Sequence, residues 1–166
     1  LTHGVNVDWS YGNQCWDICA LLWFQYGLRL QTGPMGAAFE CWVISRNVNA
    51  RPPFKMITGI ENVKRGDCVV FNRGGSFWTG HIAFADEDYN GQAYIQCLGQ
   101  NQFGAPFPTG GACFNVYGIL SSAFLGAFRL KQWQQPTPPT PTTKKHKFPW
   151  FIYVNKWRDR NNYGII

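Results

Sequence analysis

The stretch YGNQCWDICALLWF, residues 11–24, determines how the fold of this chain begins. Its polar first half runs into an apolar, helix-like segment, and Tyr26-Gly27 then supplies a stop signal, so the sequence predicts a helix over 14–25. Cys15 would lie in the first turn of that helix. Unpaired backbone N–H groups and the positive end of the helix dipole favour a thiolate at such a position.

A histidine far downstream complements this cysteine. The segment Thr79-Gly80-His81-Ile82-Ala83 places His81 at the start of a strand-like run. A helix-borne cysteine together with a strand-borne histidine is a common geometry for a thiol nucleophile and its base. This pair is the strongest indication of chemistry in the sequence.

The rest of the pattern predicts a second, shorter helix followed by strands. That helix covers 36–45, and a loop containing Arg51-Pro52-Pro53 comes after it. Strand-like runs, separated by Gly- and Asn-rich turns, lie at 67–72, 81–86, 93–98, 113–119 and 127–131. Helices followed by a run of strands indicate an α+β fold, with an antiparallel sheet packed against the helices.

Five motif segments stand in a fixed order along the chain: Gly4-Val5-Asn6-Val7-Asp8, Tyr11-Gly12-Asn13-Gln14-Cys15-Trp16-Asp17, Gly66-Asp67-Cys68-Val69-Val70-Phe71, Gly80-His81-Ile82-Ala83 and Gly99-Gln100-Asn101. On these segments, residues 4–131 resemble a CHAP domain, the cysteine- and histidine-dependent peptidoglycan amidohydrolase and peptidase module of the papain-like group. The resemblance implies a papain-like CHAP fold, with N-terminal helices on an antiparallel β-sheet. It also implies a peptidoglycan hydrolase, either an amidase or an endopeptidase.

The resemblance assigns roles to the two residues of the pair. Cys15 is the predicted nucleophile, and its attack on an amide carbon gives an acyl-thioester. His81 takes the thiol proton and later delivers a proton to the leaving amine.

A third group is needed to orient a neutral imidazole. In CHAP relatives an acidic residue or an asparagine from the next strand does this, and the corresponding segment here is Leu98-Gly99-Gln100-Asn101. Gly99 stands where the family frequently has a glutamate, so Asn101 is the predicted third catalytic residue. Asn101 would either hold His81 or help bind the oxyanion together with the N–H of Cys15.

A candidate calcium loop overlaps the cysteine motif. Positions 1, 3, 5, 7 and 12 of a calcium-loop spacing are occupied by Asn6, Asp8, Ser10, Gly12 and Asp17. Some CHAP lysins bind Ca²⁺ at this place, which makes Ca²⁺ the one cofactor that the sequence suggests. Only two of the five residues are carboxylates, which implies weak binding. Alternatively, Asp8 is a turn residue and Asp17 is a first-turn acid that complements the helix dipole.

Three of the eight tryptophans lie next to motif residues and are predicted to contact substrate: Trp9, Trp16 and Trp78. For Trp16, packing in the core is an equal alternative. The six cysteines mostly have apolar neighbours, so we expect small buried side chains rather than disulfides. Cys19, one turn beyond Cys15, is either core or a second thiol near the site. The cysteine and histidine spacings do not suit zinc.

Composition restricts the class of partner. The net charge of +6 suits an anionic partner, but no long basic stripe suggests nucleic acid, and a bacterial wall satisfies the same electrostatics. No run approaches the roughly 20 apolar residues of a membrane span. No targeting segment is visible after Leu1. We expect a processed piece of a phage endolysin or tail-associated lysin, which reaches the wall from the host cytoplasm or from the virion.

The sequence predicts three regions. Residues 1–133 form the catalytic domain, 134–146 a Pro/Thr linker, and 147–166 an aromatic and basic tail. The tail is the start of a truncated binding domain, a docking segment for other lysin or virion subunits, or a segment that folds back.

Two other functions compete with hydrolysis of the wall. One is a non-catalytic virion structural or wall-binding module of the same fold, and the other is a papain-like protease that acts on proteins. The presence of both Cys15 and His81 counts against the first.

Overall fold

The computed structural model of this chain describes residues 14–102 and 115–131. Within these ranges the helices are α1 (Cys15–Gln25), α2 (Glu40–Val43) and α3 (Arg46–Asn49). The strands are β1 (Phe54–Ile57), β2 (Cys68–Phe71), β3 (His81–Ala85), β4 (Tyr94–Gly99), β5 (Asn115–Leu120) and β6 (Phe124–Leu130). In the described part of the chain, no helix is long and apolar enough to cross a membrane.

The strands form a six-stranded sheet in the order β1-β6-β2-β3-β4-β5. Every neighbouring pair in this sheet is antiparallel. The predicted α+β class, with helices first and an antiparallel sheet afterwards, is confirmed. β6 is the last of the described strands in sequence, yet it lies between β1 and β2, so the sheet contains a long-range connection.

Helix α1 packs on one face of the sheet through aromatic contacts. Trp23 is fully buried and stacks on Phe54 of β1, with ring centroids 4.0 Å apart, and it meets Phe128 of β6 edge-on at 5.5 Å. Its indole N–H donates to the carbonyl oxygen of Asn49 at 2.9 Å, so burial leaves this polar group satisfied. These contacts fix the helix that carries Cys15 relative to the sheet.

The opposite face of the sheet is buried as well. Val69 and Phe71 of β2 pack there with Ala83 and Ala85 of β3, whereas Cys68 and Val70 face the α1 side. Burial on both faces explains why β2 reads as a continuous apolar run rather than as an alternating one. A histidine at the start of β3 is therefore placed at the end of a well-packed central strand.

An ion pair ties β2 to β6 at the end of β2 that is remote from His81. The Asp67 carboxylate accepts from Nε and Nη2 of Arg129, each at 2.7 Å, and from the backbone N–H of Lys64 at 2.9 Å. Asp67 is 1% exposed. The Gly66-Asp67 motif thus supports the sheet.

The structure differs from the prediction at two elements. The helix expected over 36–45 is interrupted: α2 ends at Val43, and the Ser45 hydroxyl donates to the carbonyl oxygen of Thr32 at 2.8 Å before α3 begins. Strand β1 was not predicted, because it is short and its exposed residues, Lys55 and Met56, are adjacent instead of alternating. The other predicted strands are present, each with bounds shifted by a few residues.

The predicted domain boundaries are not tested by these residues. All described residues fall within the predicted catalytic domain, 1–133. The linker at 134–146 and the tail at 147–166 lie outside the described residues, and their assignments stay predictions.

Candidate active site

Cys15 is the first residue of α1, and the local sequence fixes this start. Gln14 is the N-cap residue, with an extended backbone (φ −84°, ψ 156°). Its N–H donates to Oδ2 of Asp17 at 2.8 Å, and the Asp17 N–H donates to the Gln14 carbonyl oxygen at 3.2 Å. An acid at the third helical position therefore caps the helix, which places Cys15 at its N-terminus as predicted.

The thiol of Cys15 is buried beside β3. Cys15 is 7% exposed, and its thiol contacts the backbone N–H of Ile82, the residue after His81, and the N–H of Trp16. Burial raises the pKa of the thiol to about 12, while the Ile82 N–H acts in the opposite direction. The expectation that the helix N-terminus favours a resting thiolate is thus wrong, because desolvation of the charged form outweighs the backbone donors.

His81 begins β3, and a glycine is required before it. Gly80 has φ +71°, and a Cβ there would lie 2.7 Å from both the Phe39 Cβ and the Phe71 carbonyl oxygen. The imidazole packs on the ring of Phe77 with centroids 4.4 Å apart. Burial lowers the pKa of His81 to about 4, so the ring is neutral at physiological pH.

The side chain that contacts the imidazole is Gln102. His81 Nε2 and Gln102 Oε1 are 3.3 Å apart, and Gln102 is 1% exposed. The sequence did not single out this residue. A run of three amide side chains, 100–102, directly after a strand was the one available signal.

Asn101 contacts Gln14, the residue that caps helix α1, and not His81. Its Nδ2 donates to Oε1 of Gln14 at 3.2 Å, and Nε2 of Gln100 donates to the Gln14 carbonyl oxygen at 3.0 Å. Asn101 has a left-handed backbone, with φ 53°, so the side chains of Asn101 and Gln102 point to different partners. The hydrogen bond that we predicted from Asn101 to His81 is therefore made by the next residue, and a catalytic role of Asn101 stays a prediction.

The tryptophans predicted to contact substrate are in different surroundings. Trp16 is half-buried and packs against the α1-side core, which is the alternative left open for it. Trp78 is 79% exposed, in the connection between β2 and His81. Trp9 lies outside the described residues.

The calcium prediction depends mostly on residues outside the described ranges: Asn6, Asp8, Ser10 and Gly12. Asp17 is buried, and one of its carboxylate oxygens accepts the helix-capping hydrogen bond from Gln14. This use matches the alternative of a first-turn acid. Asp17 could bind a metal only with carboxylate lone pairs that the helix cap does not use. In residues 14–102 and 115–131, no group of three or more His, Cys, Asp or Glu side chains forms a metal site.

The described cysteines are free and buried, as expected: Cys15, Cys19, Cys41, Cys68 and Cys97. Cys19 is fully buried, and its thiol hydrogen-bonds with that of Cys68. This contact places Cys19 in the core. Cys113 lies outside the described residues.

Comparisons with known proteins give three matches. Residues 4–101 match the family model described as CHAP domain. The D-alanyl-L-alanine endopeptidase of Streptococcus phage B30 is 30% identical over 159 residues, which cover 92% of this chain and 33% of that protein. The crystal structure of a wild-type endolysin, LysIME-EF1, is similar with a TM-score of 0.59 and 21% identity, over 78% of this chain and 58% of that chain. The structural likeness shows a shared fold, and this chain spans less than two thirds of either protein.

Proposed function

Because the chain belongs to the CHAP domain family, we propose that it hydrolyses an amide bond of bacterial peptidoglycan, with Cys15 as nucleophile and His81 as general base. One observation carries the proposal: the Cys15 thiol contacts the N–H of Ile82, the residue directly after His81. Helix α1 and strand β3 thus bring the thiol to the backbone of the residue next to His81, although Cys15 and His81 are 66 positions apart in sequence.

The protonation states define the first chemical step. At neutral pH both groups are uncharged, because burial raises the pKa of Cys15 to about 12 and lowers that of His81 to about 4. The thiol proton passes to the imidazole as sulfur bonds to the amide carbon, and the carbonyl electrons move to oxygen. The N–H groups of Ile82 and Trp16 stabilise the sulfur as it gains negative charge.

Collapse of the tetrahedral intermediate completes acylation. The carbon–nitrogen bond breaks, the imidazolium gives its proton to the leaving amine, and an acyl-thioester remains on Cys15. Water then attacks the thioester, with His81 as base, and releases the acid product and the thiol. The backbone N–H of Cys15, at the N-terminus of α1, is the proposed donor to the oxyanion.

The name of the phage relative favours an endopeptidase over an amidase. We therefore assign the scissile bond to a D-alanyl-L-alanine linkage in the peptide part of the wall. The phage origin of that relative also supports action on a host cell wall by a phage-encoded lysin. Exposed Trp78, close in sequence to His81, is the proposed contact for the peptide or glycan.

Turbidity loss of purified Gram-positive walls tests the proposal. We expect wild type to clear the walls, and Cys15→Ala to bind them without clearing. Cys19→Ala is the matched control, because it removes a thiol one turn along the same helix that the structure places in the core. Mass spectrometry of the soluble products would identify new L-alanyl amino termini for an endopeptidase and free lactyl groups for an amidase.

The other outcomes discriminate the competing functions. Walls that are bound but left intact by the wild type would contradict hydrolysis and identify a wall-binding module. Cleavage of a denatured protein without effect on walls would identify a protein protease. Each assay is run with Ca²⁺ and with a chelator, since retention of activity in chelator would contradict the predicted calcium dependence.

A further inference from the structure

The imidazole of His81 has two nitrogens, and only the unprotonated one can accept a proton from the thiol. A neutral histidine carries its hydrogen on either Nδ1 or Nε2, and the hydrogen-bond partner of one nitrogen determines which. The described structure gives this partner as Gln102. The orientation of the Gln102 amide therefore decides which nitrogen is the base.

Three oxygens fix that orientation. Gln102 Nε2 lies 3.1 Å from the carbonyl oxygen of Cys97, 2.8 Å from that of Asn115 and 2.9 Å from Asn115 Oδ1. Two of these are backbone carbonyls, which only accept hydrogen bonds. A flipped amide would place its own oxygen against these carbonyl oxygens, where acceptor faces acceptor and no hydrogen lies between them. Oε1 must therefore face His81.

An amide oxygen accepts and never donates, so the His81 nitrogen that faces it carries the hydrogen. We infer that Gln102 is a positioning residue that holds His81 as the Nε2–H tautomer and leaves Nδ1 as the base for Cys15. Nδ1 is the ring nitrogen closer to the backbone. The Cys15 thiol contacts the backbone N–H of Ile82, the residue next to His81 in β3.

The two preceding residues serve the other half of the site. Gln100 and Asn101 both donate to Gln14, the residue that caps the helix of Cys15. Three consecutive amide side chains at the end of β4 therefore hold the nucleophile's helix and the imidazole to one short segment. The catalytic part of this inference rests on the proposed function, whereas the tautomer does not.

Long-range ¹H–¹⁵N correlation spectra test the tautomer directly. The chain has three histidines, so the variant His3→Gln/His146→Gln leaves His81 as the only one. In this background we expect the Nε2–H pattern at pH 7. A protonated Nδ1 at pH 7 would overturn the inference, and this measurement needs neither a Gln102 variant nor an active enzyme.

Gln102→Met in the same background tests whether Gln102 is the cause. Methionine keeps the length of the side chain but offers no amide, so we expect the Nδ1–H tautomer to become populated. We also expect the pKa of His81 to fall below about 4, because the amide oxygen stabilises the imidazolium. Gln96→Met, on the preceding strand, is the control and should change neither. An unchanged tautomer in Gln102→Met would overturn the inference.

Rates of wall hydrolysis distinguish an effect of Gln102 on the position of His81 from an effect on folding. For Gln102→Met we expect kcat to fall roughly 10²-fold with little change in KM, since a misdirected base affects the chemical step. The acidic limb of its rate profile should move to lower pH together with the pKa of His81. A loss explained entirely by a smaller folded fraction would contradict the positioning role. If the wild type has Nε2–H but leaves walls intact, the proposed function fails and the tautomer assignment stands.

Discussion

Two dipeptides of this chain, each a glycine followed by an ionisable residue, stand at the start of neighbouring strands, but their ionisable side chains have different roles. Gly66-Asp67 precedes β2, and Gly80-His81 enters β3, the antiparallel neighbour of β2. Both glycines have positive φ, +88° and +71°, and both polar residues are 1% exposed. The dipeptides thus lie at opposite ends of the same strand pair, each with an ionisable side chain buried.

The partners of these two side chains differ. Asp67 has a cationic partner and three hydrogen bonds, since both carboxylate oxygens accept from Arg129 and one also accepts a backbone N–H. His81 has one amide contact at 3.3 Å and an aromatic ring beside it, and burial lowers its pKa to about 4. A buried ionisable group with full compensation stabilises the fold, whereas one held neutral by desolvation is available for proton transfer.

Replacing the histidine should have the largest effect, and at neutral pH this effect is on activity and not on stability. For His81→Gln we expect wall hydrolysis to fall by roughly 10³- to 10⁴-fold, because the general base is lost. Wall turbidity and the thermal melting temperature are the paired measurements. Activity within tenfold of wild type would show that His81 is structural, like Asp67.

Replacing the aspartate should have the converse result. Asp67→Ala removes the carboxylate partner of the Arg129 guanidinium, which keeps its hydrogen bond to the Asn62 carbonyl oxygen, and we expect a loss of roughly 3 kcal/mol in unfolding free energy. This is the lower end for a broken buried pair, because the Arg129 side chain is 27% exposed and keeps access to water. Urea unfolding measures the loss. Activity per folded molecule should equal that of the wild type. A selective loss of activity would contradict the assignment of Asp67 to stability and of His81 to activity.

Lowering the pH should reveal the contribution of His81 to the free energy of unfolding. The pKa of His81 falls from 6.5 to about 4 on folding, so between these values the unfolded chain binds a proton that the folded chain excludes. Stability from this group is complete above pH 6.5 and decreases as the pH falls toward 4. Between pH 8 and pH 5 we expect a loss of about 2 kcal/mol. His81→Gln should lack this component, and equal pH dependence in both proteins would refute the neutral buried imidazole.

The glycines give the smallest predicted difference. Gly66→Ala meets no atom within 4 Å, so only the positive φ opposes it, at about 1 kcal/mol. Gly80→Ala has the same backbone strain and also meets Phe39 Cβ and the Phe71 carbonyl oxygen at 2.7 Å. We expect it to lose at least about 1 kcal/mol more in chemical unfolding. Equal losses would mean that the chain before His81 relaxes without strain.

Local signals explain what the sequence predicted well. The start of α1 depends on Gln14 and Asp17, three residues apart, and its end on Tyr26-Gly27, so the position of Cys15 follows from neighbours in sequence. His81 at the start of a strand follows in the same way from Gly80 and the apolar run after it. The resemblance to a family added the expected chemistry.

Long-range contacts explain what it did not predict. Gln102 contacts His81 because Cys97 and Asn115, on two different strands, hold its amide nitrogen, and no local pattern contains that information. The neutral thiol likewise results from burial by the sheet, which opposes the local effect of the helix N-terminus. Spacing in sequence indicated the proposed catalytic pair, Cys15 and His81, while the protonation of both residues and the orientation of the imidazole depend on packing.

The place of β6 in the sheet has a consequence for synthesis of the protein. Phe54 of β1 pairs with Leu130, and β2 pairs with the same strand, so both have an unpaired edge until 124–130 have left the ribosome. Such distant pairings fold slowly and favour late, cooperative assembly. A nascent chain would thus already contain Cys15 and His81 without the completed sheet that positions them, and the proposed hydrolytic activity would arise only after β6 has been translated.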